Sequence, residues 1–168
     1  MGEFQLRVAV EDTFSGIAPG RWRSLTDIQV GRHVYETLVG CDHGLRIVPG
    51  IATSFWACES GREWHFRLPP KRRFHDGSAL DEQAVVWNLK ERILPKSSLA
   101  DAVESVYAVD RNEVVIRTRG GVASLLALLA APQSAIVAPS SRSSEAGANV
   151  PAGSGAFVFS RMDETGTI

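Results

Sequence analysis

The sequence predicts a mixed α/β (α+β) fold, a small mixed sheet with flanking helices. Three observations carry this. Two pairs of short runs alternate polar and apolar residues around turn signals, "TSFWAC" with "EWHFRL" and "ESVYAV" with "EVVIRTR". Residues 81–93, "DEQAVVWNLKERI", instead repeat apolar positions at helical spacing. With 168 residues, 44% of them hydrophobic and 22% charged, the chain can bury one sizeable core.

Taken in order, "FQLRVAV" (4–10) reads as an entering strand and "EDTFSGIAPGRWRS" (11–24) as a loop. "TDIQVGRHVYETLV" (26–39) reads as a helix capped by Thr26 or Asp27, with Ile28, Arg32, Tyr35 and Leu38 or Val39 at helical spacing. "CDHG" is a turn, and a connector leads from it into the first hairpin, which turns at Glu59-Ser60-Gly61. On that hairpin's second strand Trp64, Phe66 and Leu68 share one face and Glu63, His65 and Arg67 the other. Pro69-Pro70 then removes two backbone donors and ends the strand.

Asp76-Gly77 is a turn pair, Asp81 stands where a helix N-cap belongs, and Glu82 faces the positive end of the helix dipole. Val85, Leu89 and Ile93 form a buried ridge that Val86 widens, and Pro95 stops the helix. The second hairpin turns at Asp110-Arg111-Asn112. "VASLLALLA" is a short buried helix, "SAIVAP" a short apolar strand and "SSRSSEAGANV" an exposed loop. "PAGSGAFVFSRM" closes the chain as a glycine-rich turn leading into an aromatic strand.

Composition excludes several classes of function. Eighteen basic and nineteen acidic residues nearly cancel, and the longest basic run is Lys71-Arg72-Arg73, so nothing marks a nucleic-acid binder. No apolar run reaches the roughly 18–20 residues that cross a bilayer. Met1-Gly2-Glu3 leads directly into strand-like sequence without the parts of a secretory leader, as in a cytoplasmic chain or one whose leader has been removed. Cys41 and Cys58 are too few for a disulfide scaffold and read as free thiols.

Candidate chemistry is thin. His75-Asp76 as a catalytic dyad would need both side chains to converge on one point, which adjacent residues on a tight turn rarely do. Cys41, His43, Cys58 and His65 lack the paired short spacings of a zinc site. "AGSGAF" has neither the Lys-Ser/Thr of a phosphate loop nor the frame of a nucleophile elbow, and reads as a tight turn needing glycine. Of the four tryptophans, Trp22 is the best candidate for an exposed functional aromatic, although packing is the plainer role. No catalytic residue, metal ligand or cofactor is expected.

In order and spacing, the segments "LRVAV", "VYETLVGCDHGLRIVPGIATSFWACESGREWHFRL", "RFHDGSALDEQAVVWNLKERI", "VESVYAVDRNEVVIRT" and "VPAGSGAFVF" resemble the N-terminal lobe of the peptide/nickel-type solute-binding proteins of ABC importers. The family pattern has a Tyr-Glu helix end, a Trp-containing hairpin, a Phe-His-Asp-Gly turn before an acid-rich helix and a Pro-x-Gly-Thr-Gly-Pro-Phe motif. Here that last motif carries Ser154 and Ala156 for the threonine and second proline. Leu99 and Ala135 stand where the nickel branch has a tryptophan and an arginine for its metal chelate, which sets this chain apart from it.

The resemblance implies a type II periplasmic-binding-protein fold in which residues 1–40 and 151–168 form a main-sheet subdomain and 41–150 an inserted one, the second lobe being absent. It implies a non-catalytic, periplasmic or otherwise extracytoplasmic protein that binds a small peptide or other solute and serves a membrane permease. Ligand would meet the loop after the first strand, at Thr13, Phe14, Ser15 and Gly16. One wall without its counterpart leaves a ligand wet, so weak peptide binding or none is expected. The alternative is the solute-sensing domain of a cytoplasmic transcriptional regulator, since similar domains occur fused to DNA-binding helices.

Overall fold

The computed structural model describes residues 14–109, 112–140 and 150–160. The expected strand at 4–10, the turn residues Asp110 and Arg111 and the loop from 141 to 149 lie outside the described residues.

Helix α1 (Leu25–Val34) starts at Ser24, whose hydroxyl accepts from the Asp27 amide while the Asp27 carboxylate reaches back to the Ser24 amide. The cap is therefore Ser24 and not Thr26 or Asp27. With Asp27 at the third helical position the two close a capping box. The helix stops at Val34, short of the expected Val39, because the next residues are drawn into extended pairings. Ile51 N–H donates to Thr37 O at 3.0 Å, Ala52 N–H to Leu38 O at 2.9 Å, and Ile136 N–H to Glu36 O at 2.8 Å.

Strands β1 (Val39–Cys41) and β2 (Ile47–Pro49) form a small antiparallel hairpin where a connector was expected. Its "CDHG" turn is organised by Asp42, whose carboxylate accepts from the amides of Gly44 and Arg46. Among the described residues the larger sheet is four-stranded and antiparallel, in the order β3 (Ser54–Cys58), β4 (Glu63–Arg67), β6 (Glu113–Thr118), β5 (Val103–Ala108), and so falls within the part expected as inserted. Both expected hairpins are present.

Alternation sorts the faces as anticipated. Phe66, Leu68, Val106, Val114 and Ile116 are buried in the core. On the opposite face His65 lies between two carboxylates, Nδ1 at 2.8 Å from Glu113 and Nε2 at 3.0 Å from Glu63. Arg67 and Arg117 complete the row by pairing with Glu113 and Glu63, and the Trp56 ring stacks on His65 at 5.1 Å.

Helix α2 (Glu82–Trp87) is capped by Asp81, which accepts from the Ala84 amide at 2.9 Å. It packs on β5 and β6 through Val85 and Leu89. The helical path then widens into a π turn (Asn88–Ile93) and tightens into a 3₁₀ turn (Leu94–Lys96), so Pro95 lies inside the last turn and the chain leaves after it. Asn88 accounts for the widening. Its buried side-chain amide donates to Ala84 O and Val137 O and accepts from Val137 N–H, so it competes for a carbonyl of the helical ladder.

The expected short helix is α3 (Leu125–Ala130), packed on β1 and β2. Among the described residues the "SAIVAP" segment is buried and extended and joins no sheet, pairing as an isolated bridge between Ile136 and Glu36. Two apolar clusters result. The larger includes the sheet, α2 and α3, whereas the smaller gathers Ile17, Val34, Tyr35, Ala135 and Val137 with Phe14, Trp22, Val150 and Phe159 packed around them.

The Pro151–Phe157 segment corrects two expectations. No strand follows the motif through Ser160. Gly153 and Gly155 are also needed for close approach rather than for a tight turn. A Cβ on Gly153 would lie 2.1 Å from Val34 O, and one on Gly155 would lie 2.5 Å from His33 O. The segment lies along the end of α1, with Gly155 N–H donating to Val34 O and Phe157 N–H to His33 O. His75 holds it from the other side, its amide donating to Gly153 O and its Nε2 to Gly155 O at 2.9 Å. Asp76 points elsewhere, to Ser78 and Ser140. The His75-Asp76 pair is a structural joint.

Candidate functional site

The loop from Phe14 to Ser24 holds no strand and no helix, yet it is held tightly. Pro19 and Gly20 occupy the middle of a turn closed by Arg21 N–H to Ala18 O at 3.2 Å, and Gly20 at φ 86° takes the left-handed position that favours glycine. The turn presents Arg21, Trp22 and Arg23. The Trp22 indole N–H donates to Ile17 O at 2.9 Å, and its ring lies over Gly31 of α1 with its centroid 6.3 Å from that of Tyr35.

Asp27 ties the loop to the helix. It is fully buried, and its carboxylate accepts from Ser15 N–H at 2.7 Å, Ser15 Oγ at 2.5 Å, Arg23 N–H at 2.8 Å and Ser24 N–H at 3.2 Å. Burial alone would raise its pKa, but the bonds from Arg23, Ser15 and Ser24 outweigh it and hold the carboxyl well below the usual range. Asp27 is therefore ionised at neutral pH and organises the loop from beneath.

Two open clefts meet at Trp22. The larger, about 710 Å³, is lined by Ser15, Gly20, Arg21, Trp22 and Arg23. The smaller, about 170 Å³, lies between Trp22, Arg32, Tyr35, Glu36 and Thr37 on one side and Ala130, Pro132 and Ala135 on the other. Burial pushes the Tyr35 phenol well above its ordinary value, against the opposing Arg92 charge, so it remains a donor and bonds Pro151 O at 2.8 Å. Glu36 accepts from Arg72 and from Ser154 Oγ at 2.9 Å.

Of the expected contact residues, Thr13 lies outside the described residues. Phe14 packs against the smaller apolar cluster, Ser15 lines the larger cleft, and Gly16 has open space around its Cα. Ala135 lines the smaller cleft, while Leu99 packs against the large core. Sequence reasoning singled out Trp22 but missed Gly20–Arg23 as a lip and Thr37 as a wall. The Pro19-Gly20 dipeptide was the available signal for the lip.

Among the described residues no three His, Cys, Asp or Glu side chains converge as metal ligands, and Cys41 and Cys58 are half-buried free thiols. The site offers shape, an aromatic wall and guanidinium groups.

Gly31 keeps the aromatic wall in place, since a Cβ there would meet Trp22 Cζ2 at 2.2 Å. Alanine gains about 1 kcal/mol of helix propensity but forces the indole out, an overpacking cost of about 1–3 kcal/mol. Gly31→Ala is expected to lose about 1 kcal/mol in urea unfolding and to shift the Trp22 indole N–H resonance toward its solvent-exposed position. An unmoved resonance would contradict this packing.

A family model described as bacterial extracellular solute-binding proteins, family 5 Middle, matches residues 46–168. The glutathione-binding protein GsiB of Pectobacterium atrosepticum is 26% identical over 166 residues, covering 94% of this chain and 32% of that protein. The periplasmic murein peptide-binding protein MppA of Escherichia coli is 31% identical over 88 residues, covering 52% and 16%. The chain thus spans about a third or less of the length of these curated relatives. The solved structure of the E. coli murein tripeptide binding protein MppA superposes with a TM-score of 0.76 at 22% identity, over 92% of this chain and 35% of that one, which shows the shared fold. The transcriptional-regulator alternative finds no support among these proteins.

Proposed function

Because the chain belongs to the family 5 bacterial extracellular solute-binding proteins, we propose that it supplies one wall of a non-catalytic binding site for peptides or related solutes. In this reading the whole protein works outside the cytoplasm and hands its solute to the membrane permease of an ABC importer. The observation that carries the reading is the double cleft around Trp22, set in the loop that follows the first expected strand. Two relatives point to peptides by name, one to glutathione, itself a tripeptide, and one to murein peptides. Ala135 brings no charge to the smaller cleft at the position where the nickel branch is expected to carry an arginine.

We also propose the division into a main-sheet part, 1–40 with 151–168, and an inserted part, 41–150. Supporting it, the smaller apolar cluster is drawn chiefly from residues 14–35, with Phe159, while the larger lies almost wholly within the inserted part.

Both clefts are open, so a peptide lying in them keeps much of its hydration, and its polar contacts act at high dielectric. Titrating the ¹⁵N-labelled chain with di- to pentapeptides is expected to move the amides of Ser15, Gly20–Arg23 and Thr37, with a constant weaker than micromolar. Shifts confined to the outer face of the four-stranded sheet would refute the site, and a micromolar or tighter constant would refute the single-wall account.

A further inference from the structure

We propose that the two clefts select anionic solutes, with peptides that carry acidic side chains as the substrate class. This rests on the reading of the clefts as the solute site and adds charge selectivity to it.

Arg21, Arg23 and Arg32 all line the clefts, on either side of the shared Trp22. Among the described residues that line the clefts the only acidic one is Glu36, and its Oε2 already accepts from Arg72 and Ser154. Asp27 beneath the loop is likewise spent, each of its oxygens bonded to protein donors. The carboxylates of Glu36 and Asp27 are thus engaged from within, while Arg23 and Arg32 stand exposed at the rim.

This local surplus contrasts with a net charge of −1 for the whole chain. A guanidinium presents a planar fork of donors that matches a carboxylate, and the indole between the clefts can cover the aliphatic stem of a glutamate. A cationic peptide would meet like charge on both sides of the same ring.

The test is titration of the full chain with triglutamate, trialanine, trilysine and inorganic phosphate, read at the cleft amides. The exposed arginines act through screened water, so triglutamate is expected to bind about three- to tenfold tighter than trialanine, with trilysine weakest. The advantage should shrink as salt is raised, and the Arg23→Gln/Arg32→Gln double variant should bring triglutamate to the level of trialanine. Equal constants for the acidic and neutral peptides, or a preference that survives the double variant, would overturn the charge selectivity and leave the peptide site standing. Phosphate binding as tightly as triglutamate would overturn the peptide class in favour of a general anion site. If no peptide moves the cleft amides, this inference falls together with the proposed function.

Discussion

Asp27→Ala is expected to cost about 3–5 kcal/mol of folding stability, because it removes a fully buried carboxylate that accepts from four donors of Ser15, Arg23 and Ser24 at once. Water can replace some of the lost bonds, which keeps the total below a simple sum. The damage should centre on the loop and the first turn of α1, where the capping box is also lost. Urea unfolding gives the total. Hydrogen exchange at Arg23 and Ser24 gives the location, and protection there equal to wild type would show that the carboxylate does not hold the loop. Asp27→Asn keeps one acceptor oxygen and should cost less.

The same residue predicts an acid response. Its folded pKa lies below the ordinary value of 3.8, so the unfolded chain binds the proton more readily. Its contribution is therefore complete above that value and is lost as pH falls through 3.8 toward the folded one. Wild type should lose stability more steeply than Asp27→Asn over that acid range. Equal slopes would mean that another carboxylate dominates acid unfolding.

Gly153→Ala is the second large effect. The added methyl would stand 2.1 Å from Val34 O and 2.9 Å from Tyr35 Cδ1. Val34 O is backbone and is itself fixed by the bond from Gly155 N–H at 2.9 Å, so relief requires the whole segment to lift. A loss of about 3 kcal/mol is expected, the upper end of the overpacking range. Lifting it would also disturb the His75 bonds to Gly153 and Gly155 and shift Tyr35 and Glu36 in the cleft wall. Gly121→Ala is the control: the nearest atom to its Cβ is Ser60 O at 3.7 Å, and its effect should be near zero. Similar losses at the two positions would show that the close contact is not the cause, since reduced chain entropy alone makes Gly→Ala stabilising.

Much of this architecture was legible in the residues themselves. Alternation along "EWHFRL" assigned Phe66 and Leu68 to the core and His65 to the other face, because strand side chains have a strict period of two. Asp81 was readable as a cap because capping needs only a short polar side chain beside an apolar periodic run. The site was less legible. Trp22 stood out as an aromatic in a loop, but whether it faced solvent or packed depended on Gly31, nine residues later and on another element.

The sequence by itself determined the three helices, the two hairpins of the four-stranded sheet, the joint at His75-Asp76 and the resemblance that the family match then bore out. The tertiary structure alone decided where α1 ends, why the helix widens at Asn88, and which face of Gly153 meets the Val34 carbonyl. The physical reason is range. Periodicity, capping and turn chemistry act within a few residues, whereas a cleft is made by backbones that meet only after the fold closes. The Tyr35 hydroxyl reaching Pro151 across 116 positions is such a meeting, and it sets one wall of the proposed site.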